Sequence, residues 1–112
     1  MELLNAVNAL SALAQEHRLE IFRLLVREGL QGLPAGKIGE KLGIPLSTLS
    51  FHLSQLKNAG LIKCRRESRT LFYSAHYLSM NELMAYLTEN CCEGNPETCD
   101  DTIACNSGTP IK

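Results

Sequence analysis

Between residues 34 and 75 the apolar period changes from helical to alternating, and that switch restricts the fold more than any other feature of the chain. Ile38 and Leu42 are four residues apart, Pro34 suits a helix start and Gly43 suits a C-cap. After the tight link Leu42-Gly43-Ile44-Pro45, a second helix starts near Pro45 and ends at Asn58, with Leu49, Leu53 and Leu56 turned inward. Ala59-Gly60 stops it. Leu61, Ile62, Lys63, Cys64 and Arg65 then read as a strand. Arg66-Glu67-Ser68-Arg69 reads as a turn, and Thr70-Leu71-Phe72-Tyr73-Ser74 as a second strand. Two short helices on a tight link, followed by a hairpin, describe a mainly α chain with a winged helix-turn-helix and a two-stranded β-hairpin wing.

The flanking segments are helical. Leu3, Val7, Leu10 and Leu13 form one stripe, with Leu4 beside it. In the next helix, over residues 16–28, Leu19, Phe22, Leu25 and Val26 make the expected apolar face. Ser79-Met80-Asn81-Glu82 has the layout of a capping box and opens a last helix, in which Leu83, Tyr86 and Leu87 share a face. That helix is expected to fray near Cys91-Cys92 or Gly94. Residues 93–112 hold two prolines and two glycines and show no periodicity. The expected organisation is therefore a folded unit over residues 1–90 and a cysteine-containing tail over residues 91–112.

With 112 residues there is room for one core. No apolar run approaches the length of a membrane span, and the N-terminus lacks the layout of a secretory signal, so a cytoplasmic location without membrane contact is expected. The net charge of −1 hides an asymmetry. Residues 1–69 carry ten Lys and Arg against six Asp and Glu, whereas residues 70–112 carry one against six. The first part suits a phosphate backbone, and the tail does not.

The second helix of a helix-turn-helix lies in the major groove. Thr48, Ser50, His52 and Gln55 on that helix can hydrogen-bond base edges or phosphates, and Lys57 near its end suits a phosphate or the helix dipole. The hairpin adds Arg65, Arg66 and Arg69, placed to reach a backbone or minor groove. These eight residues are the candidate DNA contacts. A solvated hairpin with charges for solubility is the bland alternative, and it does not account for the helix pair. For His17 a surface role is expected, and for His76 a turn or strand end. No triad and no glycine-rich phosphate loop is present, and no enzyme is expected.

The run LGIPLSTLSFHLSQLKNAGLI, followed by KCRRESRTLFYSA, resembles the recognition helix and wing of the ArsR/SmtB family of metal-responsive repressors. The stretch LSALAQEHRLEIFRLL is similar to that family's second helix. The resemblance covers roughly residues 3–90. It implies a homodimer joined through the first and last helices, operator binding in the ligand-free state and release by an inducer. One departure is local: Pro45 stands where the family often has Ser or Thr, and Ser47 is the nearest hydroxyl to replace the cap. The apolar stripes of the two terminal helices, unneeded in full within one chain, also favour a two-fold dimer.

Five cysteines in such a chain suit ligands, redox groups or small buried residues better than structural disulfides. Cys64 reads as a half-buried strand residue. Cys91 and Cys92 are adjacent, Cys99 follows in CCEGNPETC, and Gly94-Asn95-Pro96 can turn the chain between them. Three soft sulfurs suit As(III) or Sb(III). Cys105 offers a fourth ligand, which keeps Cd(II), Pb(II) and Zn(II) open. Family sensor sites vary in position. The Cys-x-Cys site of one arsenic-sensing type is absent, because no cysteine lies between Ile44 and Gly60. The zinc type's Asp and His set is absent as well. Cys91, Cys92 and Cys99 resemble another arsenic-sensing type, with a cysteine pair at the end of the final helix and a third beyond it. Two alternatives stand beside this reading: a repressor that responds to thiol oxidation, and a winged-helix module that binds protein.

Overall fold

Gln15 divides the N-terminal helical stretch in two. Its backbone is extended, and its side-chain carbonyl accepts the Arg18 N–H at 3.0 Å, which satisfies an amide that the helix itself leaves unpaired. The computed structural model describes residues 1–91. Its elements are α1 (Leu3–Leu13), α2 (Glu16–Glu28), β1 (Leu33–Pro34), α3 (Ala35–Leu42), α4 (Leu46–Asn58), β2 (Ile62–Glu67), β3 (Thr70–Ala75) and α5 (Tyr77–Leu87).

The core is built where these helices meet the sheet. Ile21, Leu25, Ile38, Leu49, Leu56 and Leu61 are its largest fully buried side chains. Burying each such side chain contributes on the order of 1.5–3 kcal/mol against chain entropy. On α1 the buried residues are Ala6, Ala9 and Ala12, while Leu3, Leu4, Val7 and Leu10 are exposed. The expected leucine stripe thus exists, but it faces away from the chain's own core. On α2 the buried face is Ile21, Phe22, Leu24 and Leu25. It is rotated from the expected face, and Leu19 stays 45% exposed.

The sheet is antiparallel, in the order β1-β3-β2. The expected two-stranded wing gains a short third strand, because Leu33 and Pro34 pair with Tyr73 and Phe72. A proline is tolerated there because β1 is an edge strand. The wing strands also run further toward the tip than expected. Glu67 pairs with Thr70, and the loop shrinks to Ser68 and Arg69, both at positive φ (49° and 70°). That pattern fits the two-residue hairpin loop whose twist matches the strands.

α5 begins two residues before the anticipated capping box. His76 is its N-cap, and the ring Nδ1 accepts the Ser79 N–H at 3.2 Å, so Ser79 receives a cap rather than supplying one. Tyr77 fixes this start to α2 by donating its hydroxyl to the Val26 carbonyl at 2.8 Å. Leu83 is buried and Tyr86 half-buried, but Leu87 is 56% exposed. The helix stops at Leu87, ahead of the expected Cys91-Cys92. Of the tail expected over residues 91–112, all but Cys91 lies outside the described residues. Among the described residues no helix is long and apolar enough to cross a membrane.

Gly32 sits at φ 72°, where a Cβ would run into the Tyr73 carbonyl oxygen across the β1–β3 junction. Backbone cannot yield there as a flexible side chain would. Gly32→Ala is expected to destabilise the protein by about 2 kcal/mol or more, read as a shift in the urea-unfolding midpoint.

Candidate nucleic-acid interface

The turn between α3 and α4 is set by backbone conformation. Gly43 takes φ 69°, ψ 32°, and its N–H and that of Ile44 both bond the Gly39 carbonyl, at 2.8 and 3.1 Å. A left-handed C-cap of this kind favours glycine. Ile44 is then buried and pins the turn to the core. Pro45 is the N-cap of α4 and makes no side-chain cap, nor does Ser47 replace one. The fixed φ of proline and the Leu49 N–H to Pro45 carbonyl bond of 2.8 Å start the helix instead.

Leu49, His52, Leu53 and Leu56 form the buried side of α4. By helical geometry the opposite side carries Ser47, Ser50, Phe51, Ser54 and Asn58, all of them exposed. Of the candidate contacts, Thr48, Ser50 and Lys57 are exposed and Gln55 is half-buried. His52 is not on the outward side. It is 7% exposed, and its Nδ1 lies 3.3 Å from Arg18 Nη1. A guanidinium only donates, so Nδ1 accepts and the imidazole is neutral with its proton on Nε2. Burial lowers the His52 pKa, with Arg18 and His17 adding repulsion. The ring of His17, expected at the surface and 42% exposed there, lies 5.5 Å from that of His52, while its Nδ1 is shielded, 3.9 Å from Glu20 Oε1 and without a hydrogen bond. Arg18 also donates Nε–H to the Ala12 carbonyl at 2.7 Å. One side chain therefore ties the end of α1 to the back of α4.

The wing arginines divide into two kinds. Arg65 is held: Nη1 donates to the Gln31 carbonyl at 3.1 Å, Nε meets Glu67 Oε2 at 3.2 Å, and the guanidinium lies 5.0 Å from the Phe72 ring centroid. Among the described residues, Arg66, Arg69 and Lys63 make no side-chain hydrogen bond or ion pair, which leaves their charge for a phosphate. The sequence pattern groups Arg65 with the others because spacing does not reveal a carbonyl brought in from residue 31. It also passes over Ser47, Phe51 and Ser54, whose outward direction follows from the leucine spacing of the same helix. Cys64 is half-buried opposite Tyr73, as expected for its strand. Cys91 is exposed just beyond α5, and Cys92 and Cys99 lie outside the described residues. Among the described residues no three His, Cys, Asp or Glu groups converge to hold a metal ion.

An outward polar helix after a tight turn, flanked by a basic hairpin, defines a winged helix-turn-helix regulator of transcription. Known proteins agree. A family model described as a helix-turn-helix domain matches residues 13–65. The transcriptional activator HlyU of Vibrio cholerae is 32% identical over 90 residues, spanning 80% of this chain and 81% of that protein. A solved structure of HlyU superposes with a TM-score of 0.64 at 32% identity, covering 82% of this chain and 99% of that one. The homodimeric winged helix-turn-helix DNA-binding domain of Mb0332 from Mycobacterium bovis gives 0.62 at 27% identity, covering 83% and 86%. An ArsR-like regulator from Rhodococcus sp. RHA1 shares the fold, with a TM-score of 0.72 at 22% identity over 84% and 86% of the two chains. The chain belongs to the ArsR/SmtB family of winged-helix, DNA-binding transcriptional regulators.

Two measurements test this geometry. In anisotropy titrations with duplex DNA, replacing Arg66 and Arg69 by Ala is expected to flatten the slope of log affinity against log salt by about 2, one for each phosphate no longer neutralised. Arg65→Ala is expected to change the slope by less than half of that. For His52, a lowered pKa means that the unfolded chain takes up the proton first. Stability is then complete above the ordinary histidine value, near pH 6.5, and falls as pH drops below it. Urea unfolding across about pH 5 to 8 is expected to show this loss in the wild type and a flatter profile in His52→Gln, whose amide oxygen can still accept from Arg18.

Proposed function

We propose that the protein is a homodimeric repressor that binds operator DNA through α4 and the wing, and that As(III) or Sb(III) releases it by binding the thiolates of Cys91, Cys92 and Cys99. The observation that carries the DNA-binding part is the opposition of two faces on α4: leucines seal one side, and hydroxyls, amides and the Phe51 ring occupy the other, beside the unengaged Arg66 and Arg69. The dimer draws on α1 and α5, which lie against each other. They leave Leu3, Leu4, Val7 and Leu10, and Leu78, Met84 and Leu87, facing outward. Two such surfaces bury each other in an isologous contact, and the homodimeric Mb0332 domain is a related precedent.

The inducer reading rests on donor chemistry. Three soft sulfurs within nine residues fit a thiophilic ion, and the described residues offer no competing cluster. Cys91 lies four residues beyond the end of α5, with its N–H bonded to the carbonyl of Thr88, the C-cap of that helix, at 2.9 Å. A force on Cys91 therefore acts on the helix that carries part of the dimer surface. Release requires the ion to favour the DNA-incompetent arrangement, and DNA must weaken ion binding by the same factor. A second reading, thiol oxidation at the same cysteines, has support from a relative whose solved form is described as reduced HlyU from Vibrio cholerae.

The test is operator binding by anisotropy, with and without As(III), under strictly reducing conditions. Cys91→Ser, Cys92→Ser and Cys99→Ser are each expected to bind DNA normally and to lose most of a response of roughly 30–150-fold. Cys64→Ser should change neither. A large loss in Cys105→Ser would point to a fourth ligand and to Cd(II), Pb(II) or Zn(II). DNA release by As(III) from the triple variant would refute the sensor site.

A further inference from the structure

We propose that Phe51 forms an apolar subsite on α4 that reads the C5-methyl group of thymine in the major groove. The inference rests on the DNA-binding reading of α4 and adds the base that this helix selects. Phe51 is 58% exposed on the outward side of the helix, opposite the leucine seam. Its helical neighbours on that side are Ser47 and Thr48 in the preceding turn and Ser54 and Gln55 in the next. A large hydrocarbon surface thus sits among hydroxyl and amide groups, in the segment that enters the groove.

The ring has an aromatic neighbour. It packs edge-on against His52, with centroids 5.6 Å apart and planes at 60°. His52 is in turn buried and fixed by Arg18 and flanked by His17. The dimer contact proposed above uses exposed apolar groups of α1 and α5, and Phe51 belongs to neither helix.

Base chemistry then narrows the partner. Phenyl has neither donor nor acceptor. Among the base edges of the major groove, only thymine presents a hydrocarbon group. Phenyl over guanine N7 and O6, or over the cytosine amino group, would strip water from those groups and return no hydrogen bond. Phe51 therefore favours thymine both by the contact it makes and by the contacts it penalises.

The probe is a duplex selected by the wild-type protein from a randomised library, with each thymine replaced in turn by deoxyuridine, which lacks only the methyl. Binding is read by anisotropy for the wild type, Phe51→Ala and Phe51→Leu. At one thymine in each half-site, deoxyuridine is expected to weaken wild-type binding about three- to fivefold per methyl covered. Phe51→Ala should bind thymine and deoxyuridine duplexes equally, and Phe51→Leu should keep part of the difference. Absence of a deoxyuridine effect in the wild type, or an equal effect in Phe51→Ala, would overturn the subsite while leaving the DNA-binding reading in place. Failure of the library to yield any salt-sensitive duplex would sink both.

Discussion

The seam formed by Leu49, Leu53 and Leu56 holds the molecule together and decides what it shows to the outside. A helix can bury only one side. Once these leucines are sealed into the core with Ile21, Leu25, Ile38 and Leu61, the orientation of every other side chain on α4 follows. The outward serines and Phe51 need no device of their own to stay in place. Their presentation is a by-product of core packing, and its precision is that of a close-packed interior rather than of a loop.

Arg18 adds a second constraint on the same helix. It caps nothing on α4, yet it reaches the His52 ring from one direction and the last turn of α1 from another. α4 and the N-terminal helix are thereby linked through one side chain. Such a link gives a displacement of α1, the helix with the outward leucines, a physical route to α4. Coupling of this sort depends on two discrete arrangements being available, not on distance.

Much of this architecture is legible in the residues. α1, α2 and α4 lie where the apolar spacing puts them, because long periodic segments with clear stops leave little choice. The faces are less legible. On α1 the alanines pack inward and the leucines outward, which no single-chain periodicity argument anticipates, since the period is the same for both stripes. β1 leaves no trace in the pattern because two residues carry no period. The α5 cap is hidden for another reason: His76 supplies an acceptor where the residue pattern points to Ser79. For the candidate site, residue type identifies the right helix and hairpin. Whether a given polar group is available depends on long-range partners: Gln31 for Arg65 and Arg18 for His52.

Arg65 has a consequence for what kind of DNA the protein accepts. Its guanidinium fastens the hairpin to the carbonyls that follow α2, stacks on Phe72 and meets Glu67 within the wing. That segment follows α2, which packs against α4, so Arg65 joins the wing to the body that carries α4. Two contact elements carried on one body meet a duplex as a caliper does. Duplexes whose groove width or curvature matches the gap bind without distortion, and the others must be deformed at a cost set by their own stiffness. Discrimination can then extend to base pairs that no side chain touches.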